Sequence, residues 1–160
     1  MVVSTDGKEL VTAFCLDVAR MSPMERMDMV RRGIAPIWLG RLAGAMGIAE
    51  EHLTLYLGLD RRHVVARMGQ GERLEPRESE AIAATAKWIG DALLLKRSPT
   101  EPGPVGTGVD IAAQLGTWLR TPTGDLERRA PIQYLDVAEG RALVAHLWAQ
   151  QHGDMSAAEN

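Results

Sequence analysis

Between Ala112 and Gly153 the chain carries two apolar stripes of helical period, separated by a corner with a proline at each end, Pro122 and Pro131. The first stripe sets Leu115, Trp118 and Leu119 on one face, at the spacing a 3.6-residue turn requires. A residue that precedes proline is pushed out of the α region, so this helix stops before Thr121-Pro122. Pro131 opens a turn that carries Ile132 and Leu135. Asp136 is then placed to cap the last helix, with Glu139 three residues on, where a carboxylate favours a helix start. Val137, Leu143, Val144, Leu147 and Trp148 make up the apolar stripe of that helix, and Gly153 is placed to end it.

The rest of the chain also reads as helix. At 160 residues it is long enough to bury a true core, in one or two small domains. Alanine, leucine, arginine and glutamate are abundant and eight methionines join them, a composition that leans toward helix. With 46% apolar and 24% charged residues it has the balance of an ordinary soluble globular protein. Its net charge of −3 does not by itself suggest a polyanion binder, so any nucleic-acid surface has to be local. The single cysteine, Cys15, sits in LVTAFCLDVA, which predicts a small buried hydrophobe in a reducing compartment. No apolar run approaches the roughly 20 residues of a membrane span, and MVVSTDGKEL lacks the pattern of a secretory leader, so the cytoplasm is expected.

In chain order, Leu10, Phe14 and Val18, with Val11 alongside, predict a helix over Lys8–Arg20. Ser22-Pro23-Met24-Glu25 is a capping box with proline at the first helical position. The helix it opens runs to about Arg32 and ends at Gly33, with Met24, Met27 and Val30 expected inward and Arg26, Arg31 and Arg32 outward. Pro36 opens a helix closed by Gly47. A second short helix follows to Gly58, and a third starts from Asp60 with Val64, Val65 and Met68 apolar. From Pro76 to about Lys96 a long helical pattern repeats through Ile82, Ala86, Ile89 and Leu93. RSPTEPGPVGTG, residues 97–108, cannot continue a helix and predicts a hinge loop. The organisation expected is an N-terminal module over residues 1–96, the hinge, and a C-terminal module over residues 109–160, whose polar end DMSAAEN is expected to be mobile.

Three short helices with glycine turns fit a helix-turn-helix, in either of two registers. Ala43, Gly47 and Leu53 satisfy the spacing well, and Thr54, Gly58 and Val64 nearly as well. Pattern slightly favours the first, but it would press Glu50 and Glu51 against phosphate. The second presents Arg61, Arg62, His63 and Arg67, and electrostatics favours it. The plain alternative is a solvated helix face, because Asp60, Glu72 and Glu75 lie among the arginines. So few arginines would bind weakly from one copy, and two copies on half-sites a helical turn apart would bind effectively.

Signs of catalysis are poor. The chain has no glycine-rich phosphate loop with a lysine, no paired cysteines and no serine in a strand–turn–helix setting, and no catalytic residue is assigned. His146 and His152 are six apart, off the three-to-four step of two ligands on one helical face, so no metal site is expected. His52 and His63 read as isolated surface or capping residues, and Trp38 and Trp88 as core. Trp148 reads either as core against Trp118 or as an anchor for a partner, since tryptophan is enriched at interface centres.

Taken in order, Ala112, Trp118, Leu119, Pro122, Leu126, Pro131, Ile132, Leu135, Glu139, Gly140, Val144, Leu147, His152 and Gly153 spell a pattern that resembles the toxin-binding domain of MbcA/ParS/Xre-type antitoxins. The resemblance covers about a quarter of the chain. Glu127-Arg128-Arg129-Ala130 departs from it, where the family has a small or glycine-containing turn. LGLDRRHVVARMGQGERL followed by EPRESEAI also resembles the Xre-like N-terminal domain of the same antitoxins.

The resemblance implies an all-α antitoxin with an Xre-like helix-turn-helix module and a small helical toxin-binding module. Its partner would be a RES-domain toxin that consumes NAD or transfers ADP-ribose. The antitoxin's C-terminal end would cover the toxin's NAD entrance. NAD would belong to the toxin, and no cofactor is implied for this chain. The N-terminal module would bind operator DNA and self-associate as a homodimer. Carried onto this chain, the toxin contact falls on Arg141, His146, Trp148, Gln151, His152 and Gly153. The rival reading is a stand-alone helix-turn-helix regulator whose C-terminal module dimerises or senses a ligand. An enzyme with an unrecognised site is a weaker third.

Overall fold

The computed structural model describes residues 5–96 and 110–157. The expected hinge, residues 97–108, lies outside them. Among the described residues the chain forms eight α-helices, two 3₁₀ turns and no strand. None of these helices is long and apolar enough to cross a membrane.

The helix α6 (Pro76–Lys96) is the axis of the molecule. Ile82, Ala86 and Ile89 are buried along it with Ala81, Ala83, Trp88 and Ala92, so it is covered on most sides. Against it lie α1 (Thr5–Arg20), α2 (Pro23–Arg32), α3 (Ile37–Met46), α7 (Ile111–Leu119) and α8 (Ala138–Ala157). Two smaller helices, α4 (Glu50–Tyr56) and α5 (Arg61–Gly69), follow α3 in turn. Leu115, Leu119, Ile132, Leu135, Val144 and Trp148 belong to the same buried cluster as Val18, Leu39, Leu42 and Ile89, so the N-terminal and C-terminal segments share one continuous core.

Local signals place the helix ends. Ser22 and Glu25 make both bonds of the capping box at 3.2 Å, and Pro23 occupies the first turn of α2. Asp60 and Asp110 each accept a backbone N–H as N-caps of α5 and α7. The buried Ser79 hydroxyl accepts from the Ile34 N–H at 2.9 Å and donates to the Leu74 carbonyl at 3.2 Å, tying the end of α2 to the start of α6.

Several expectations are corrected. α2 buries none of its residues: Met24 is 65% exposed and Met27 is also exposed, while Met29 and Val30 touch the core. The reason is its place at the periphery, where α6 alone lies beneath it among the elements in substantial contact. Arg26, expected outward, folds its guanidinium back to donate to the Val18 and Met21 carbonyls. Leu10, Val65 and Met68 are exposed. α8 begins at Ala138, two residues past the expected cap Asp136, which borders Gly58 instead. It continues through Gly153 to Ala157, so that glycine does not end it and residues 154–157 are helical. Val137 and Leu143 lie off the buried stripe of α8, which is Val144, Leu147 and Trp148. His63 is not isolated: its Nε2 lies 3.3 Å from Glu78 and 3.9 Å from Glu75.

Cys15 is fully buried in α1, as its sequence context predicts. Burial removes the thiolate's hydration and pushes the thiol pKa from 9.0 up to about 12. The native thiol is therefore expected to resist a disulfide reagent at pH 8 and to react at once in 6 M guanidinium, as followed by released thiolate. Because the folded form holds the proton longer, this group's contribution to stability is intact below pH 9 and declines as pH rises toward 12.

Candidate functional site

The C-terminal unit is held by aromatic packing. Trp118 on α7 and Trp148 on α8 meet edge to face, with ring centres 5.6 Å apart, and Trp88 on α6 closes the cluster at 6.1 and 6.3 Å from them. Such pairs add about 0.5–1.5 kcal/mol each beyond their buried area. His152 stacks on the outer side of Trp148 at 3.5 Å, and its Nδ1 lies 3.1 Å from the Trp148 carbonyl. The Trp118 indole N–H donates to Gln151 Oε1 at 2.8 Å, and Gln151 Nε2 donates to Asp125 at 3.3 Å. Arg141 donates to the Leu135 carbonyl at 2.9 Å and forms an ion pair with Glu80 on α6.

The start of α8 lies against the proline corner. An added Cβ at Gly140 would fall 1.9 Å from the Tyr134 carbonyl oxygen, so only glycine allows the helix this close to the Pro131–Tyr134 turn.

The six residues carried over as a toxin contact therefore divide. Trp148 is 3% exposed, and the Arg141 side chain is 10% exposed. Gln151 and His152 are half-buried and bonded within the protomer. Gly153 lies inside α8. His146 is exposed. It belongs to a stripe that recurs at steps of three and four, through Glu139, Ala142, Leu143, His146, Ala149 and Gln150, all exposed. Leu143 is 41% exposed at the middle of that stripe. Sequence reasoning assigned it to the core. The signal that separates it is the run Val144, Leu147, Trp148 and Gln151, which sets the buried face one step away.

The second candidate surface is α5, which buries only Val64. Arg61 and Arg62 are exposed; Arg61 lies 3.8 Å from Glu51, and Arg62 makes no ion pair among the described residues. Arg67 is engaged, at 3.2 Å from Glu72 and 2.9 Å from Glu75. His63 faces Glu75 and Glu78, the latter buried. Gly47 and Gly58 are both left-handed, at φ 71° and 74°, so each register has the turn that a helix-turn-helix needs.

No protein-family model matches the chain. Among curated proteins it is similar to the Prs ADP-ribosylating antitoxin of Sphingobium sp. (strain YBL2), with 30% identity over 131 residues that cover 82% of this chain and 80% of the relative.

Proposed function

The chain belongs to the antitoxin family of its Sphingobium relative, and from that premise we propose that it neutralises a RES-domain toxin by laying the C-terminal end of α8 over the toxin's NAD entrance. The words "Prs ADP-ribosylating" in the relative's name favour ADP-ribosyl transfer from NAD as the chemistry that is blocked. The chain itself contributes no reacting group. Its part is steric, and a steric block works best when it is rigid before it binds, because less freedom is then lost on association.

The observation that carries this reading is the division of α8 into two faces. One is locked to Trp88, Trp118 and Asp125, and the other presents Leu143 and His146 to solvent. Trp148, Gln151 and His152 are then positioning residues that aim the helix end, and the exposed stripe is the part that meets the toxin. Co-expression tests the pairing: the full chain restores growth to cells that express the toxin from the neighbouring reading frame, and the two proteins co-purify. Growth arrest unchanged by the chain would remove the proposal.

Operator binding by a homodimer is the second part of the reading, supported by Arg61 and Arg62 on the open face of α5. Each arginine on a phosphate steepens the salt dependence of binding by about 0.9 in the slope of log K against log salt. Replacing both with alanine is expected to flatten that slope by about 1.8 per protomer, leaving toxin binding unchanged. An unaltered slope in a gel-shift titration would move the contact to the Gly47 register.

A further inference from the structure

α8 meets α6 along an open groove, and Ala142 of the exposed α8 stripe forms part of its wall. Across it stand Glu80, Ala84 and Lys87 of α6. The same three residues line a second groove on the other side of that ridge, between α6 and α2. The surface therefore runs unbroken from α8 across α6 to α2. Size decides whether a partner stops at α8. The stripe assigned to the toxin has six residues, whereas each side of a stable interface contributes roughly 20–30. A toxin seated on Ala142, Leu143 and His146 must cover more of this protein, and the ridge with its second groove adjoins them.

The second groove holds about 650 Å³ and is floored by Met27, Val30 and Ala83. Met27 is 43% exposed and α2 buries none of its residues, so an apolar side of this helix lies open among the described residues. Methionine adapts its shape to an incoming surface. The charges say what kind of surface that is. Glu80 is taken by Arg141 and Lys87 by Asp91, and Arg26 is turned back on the Val18 and Met21 carbonyls. Arg31 and Arg77 remain, exposed and without an ion pair among the described residues. Both stand at one end of the groove, where the Ile34–Ser79 bond ties the close of α2 to the start of α6. A second copy docked groove to groove would bring these like charges together. Carboxylates on a different partner would neutralise them. We propose that the toxin contact runs from α8 over the α6 ridge into the groove between α2 and α6. There the toxin sets an apolar side chain on Met27 and Val30, and carboxylates against Arg31 and Arg77. This part of the interface rests on the reading of α8 as the toxin contact.

Amide hydrogen exchange of the full chain, with and without the toxin from the neighbouring reading frame, reads the footprint directly. Exchange is expected to slow in α2 over Met27–Arg31 as well as in α8 over Ala142–His146. Arg31→Glu combined with Arg77→Glu is expected to weaken toxin binding by about tenfold or more and to slow association most at low salt. Arg31→Lys combined with Arg77→Lys keeps both charges and is expected to stay within about threefold of the native affinity. Were the glutamate pair to misfold, Met27→Asp puts a carboxylate on the groove floor and is expected to weaken binding by a similar factor. Slowed exchange in α8 alone, or native affinity in the glutamate pair, would overturn the extension and leave the α8 contact standing. No slowing in either helix would remove both. Slowing in α2 that appears without toxin, as the antitoxin concentration is raised, would give the groove to a second copy and overturn the proposal.

Discussion

Replacing Gly116 with alanine is expected to destabilise the protein by about 3 kcal/mol and to lower its thermal midpoint by about 10 °C. The cause is a backbone contact. A Cβ at Gly116 on α7 would stand 1.8 Å from the Met46 carbonyl oxygen at the end of α3, and 2.8 Å from the Met46 carbonyl carbon. A backbone group cannot rotate aside as a flexible side chain does, so α3 and α7 must part along their packed length. Met46, Leu115 and Leu119 would loosen with them, all nearly free of solvent contact. Helix propensity acts the other way, since alanine is better than glycine inside a helix by about 1 kcal/mol. Gly44→Ala isolates that term: Gly44 lies within α3 with nothing within 4 Å of its added Cβ. It is expected to stabilise by about 0.5–1 kcal/mol. Paired calorimetric melts decide the matter, and the account fails if the two variants melt alike.

The largest effect on binding is expected from the exposed stripe of α8. Leu143→Glu combined with His146→Glu places two carboxylates on the face assigned to the toxin. It should weaken the toxin complex at least about a hundredfold, close to 2.7 kcal/mol, the range of an interface hot spot. Both positions are open to solvent, so the fold should be almost untouched. Trp148→Ala should behave in the opposite way. It removes a side chain packed between Trp88, Trp118 and His152 and costs about 3–5 kcal/mol of stability, losing toxin binding only through disorder of the helix end. Titration calorimetry beside thermal melts separates the two kinds of loss. Retained affinity in the double glutamate variant would place the interface elsewhere.

Helix positions were largely legible in the chain because their signals are local. Ser22-Pro23-Met24-Glu25, Gly33, Gly47, Asp60 and Pro131 all act within a few residues, and each stands where its chemistry predicts. Packing was less legible, because it depends on which element lies opposite. Met24 and Met27 have helical spacing but sit on a peripheral helix that, among the described elements, packs substantially only against α6. Gly116 and Gly140 look like weak points in a helical pattern until the Met46 and Tyr134 carbonyls appear against them. Asp136 looks like a cap, and it packs beside Gly58 instead.

The site followed the same rule. The pattern from Ala112 to Gly153 marked out the unit proposed to meet the toxin, and its tryptophans, prolines and glycine are the residues that build that unit. It did not separate residues that aim α8 from residues that face outward. That division rests on long-range bonds such as Trp118 to Gln151, Gln151 to Asp125 and Arg141 to Glu80, which no spacing along the chain records.

The most direct test of the steric account is the toxin's NAD consumption, measured as purified antitoxin is added, with the full chain compared against a chain ending at Gln151. The account predicts stoichiometric inhibition by the full chain. The shortened chain should still melt cooperatively and still bind, but leave NAD consumption running. Equal inhibition by the two would contradict it.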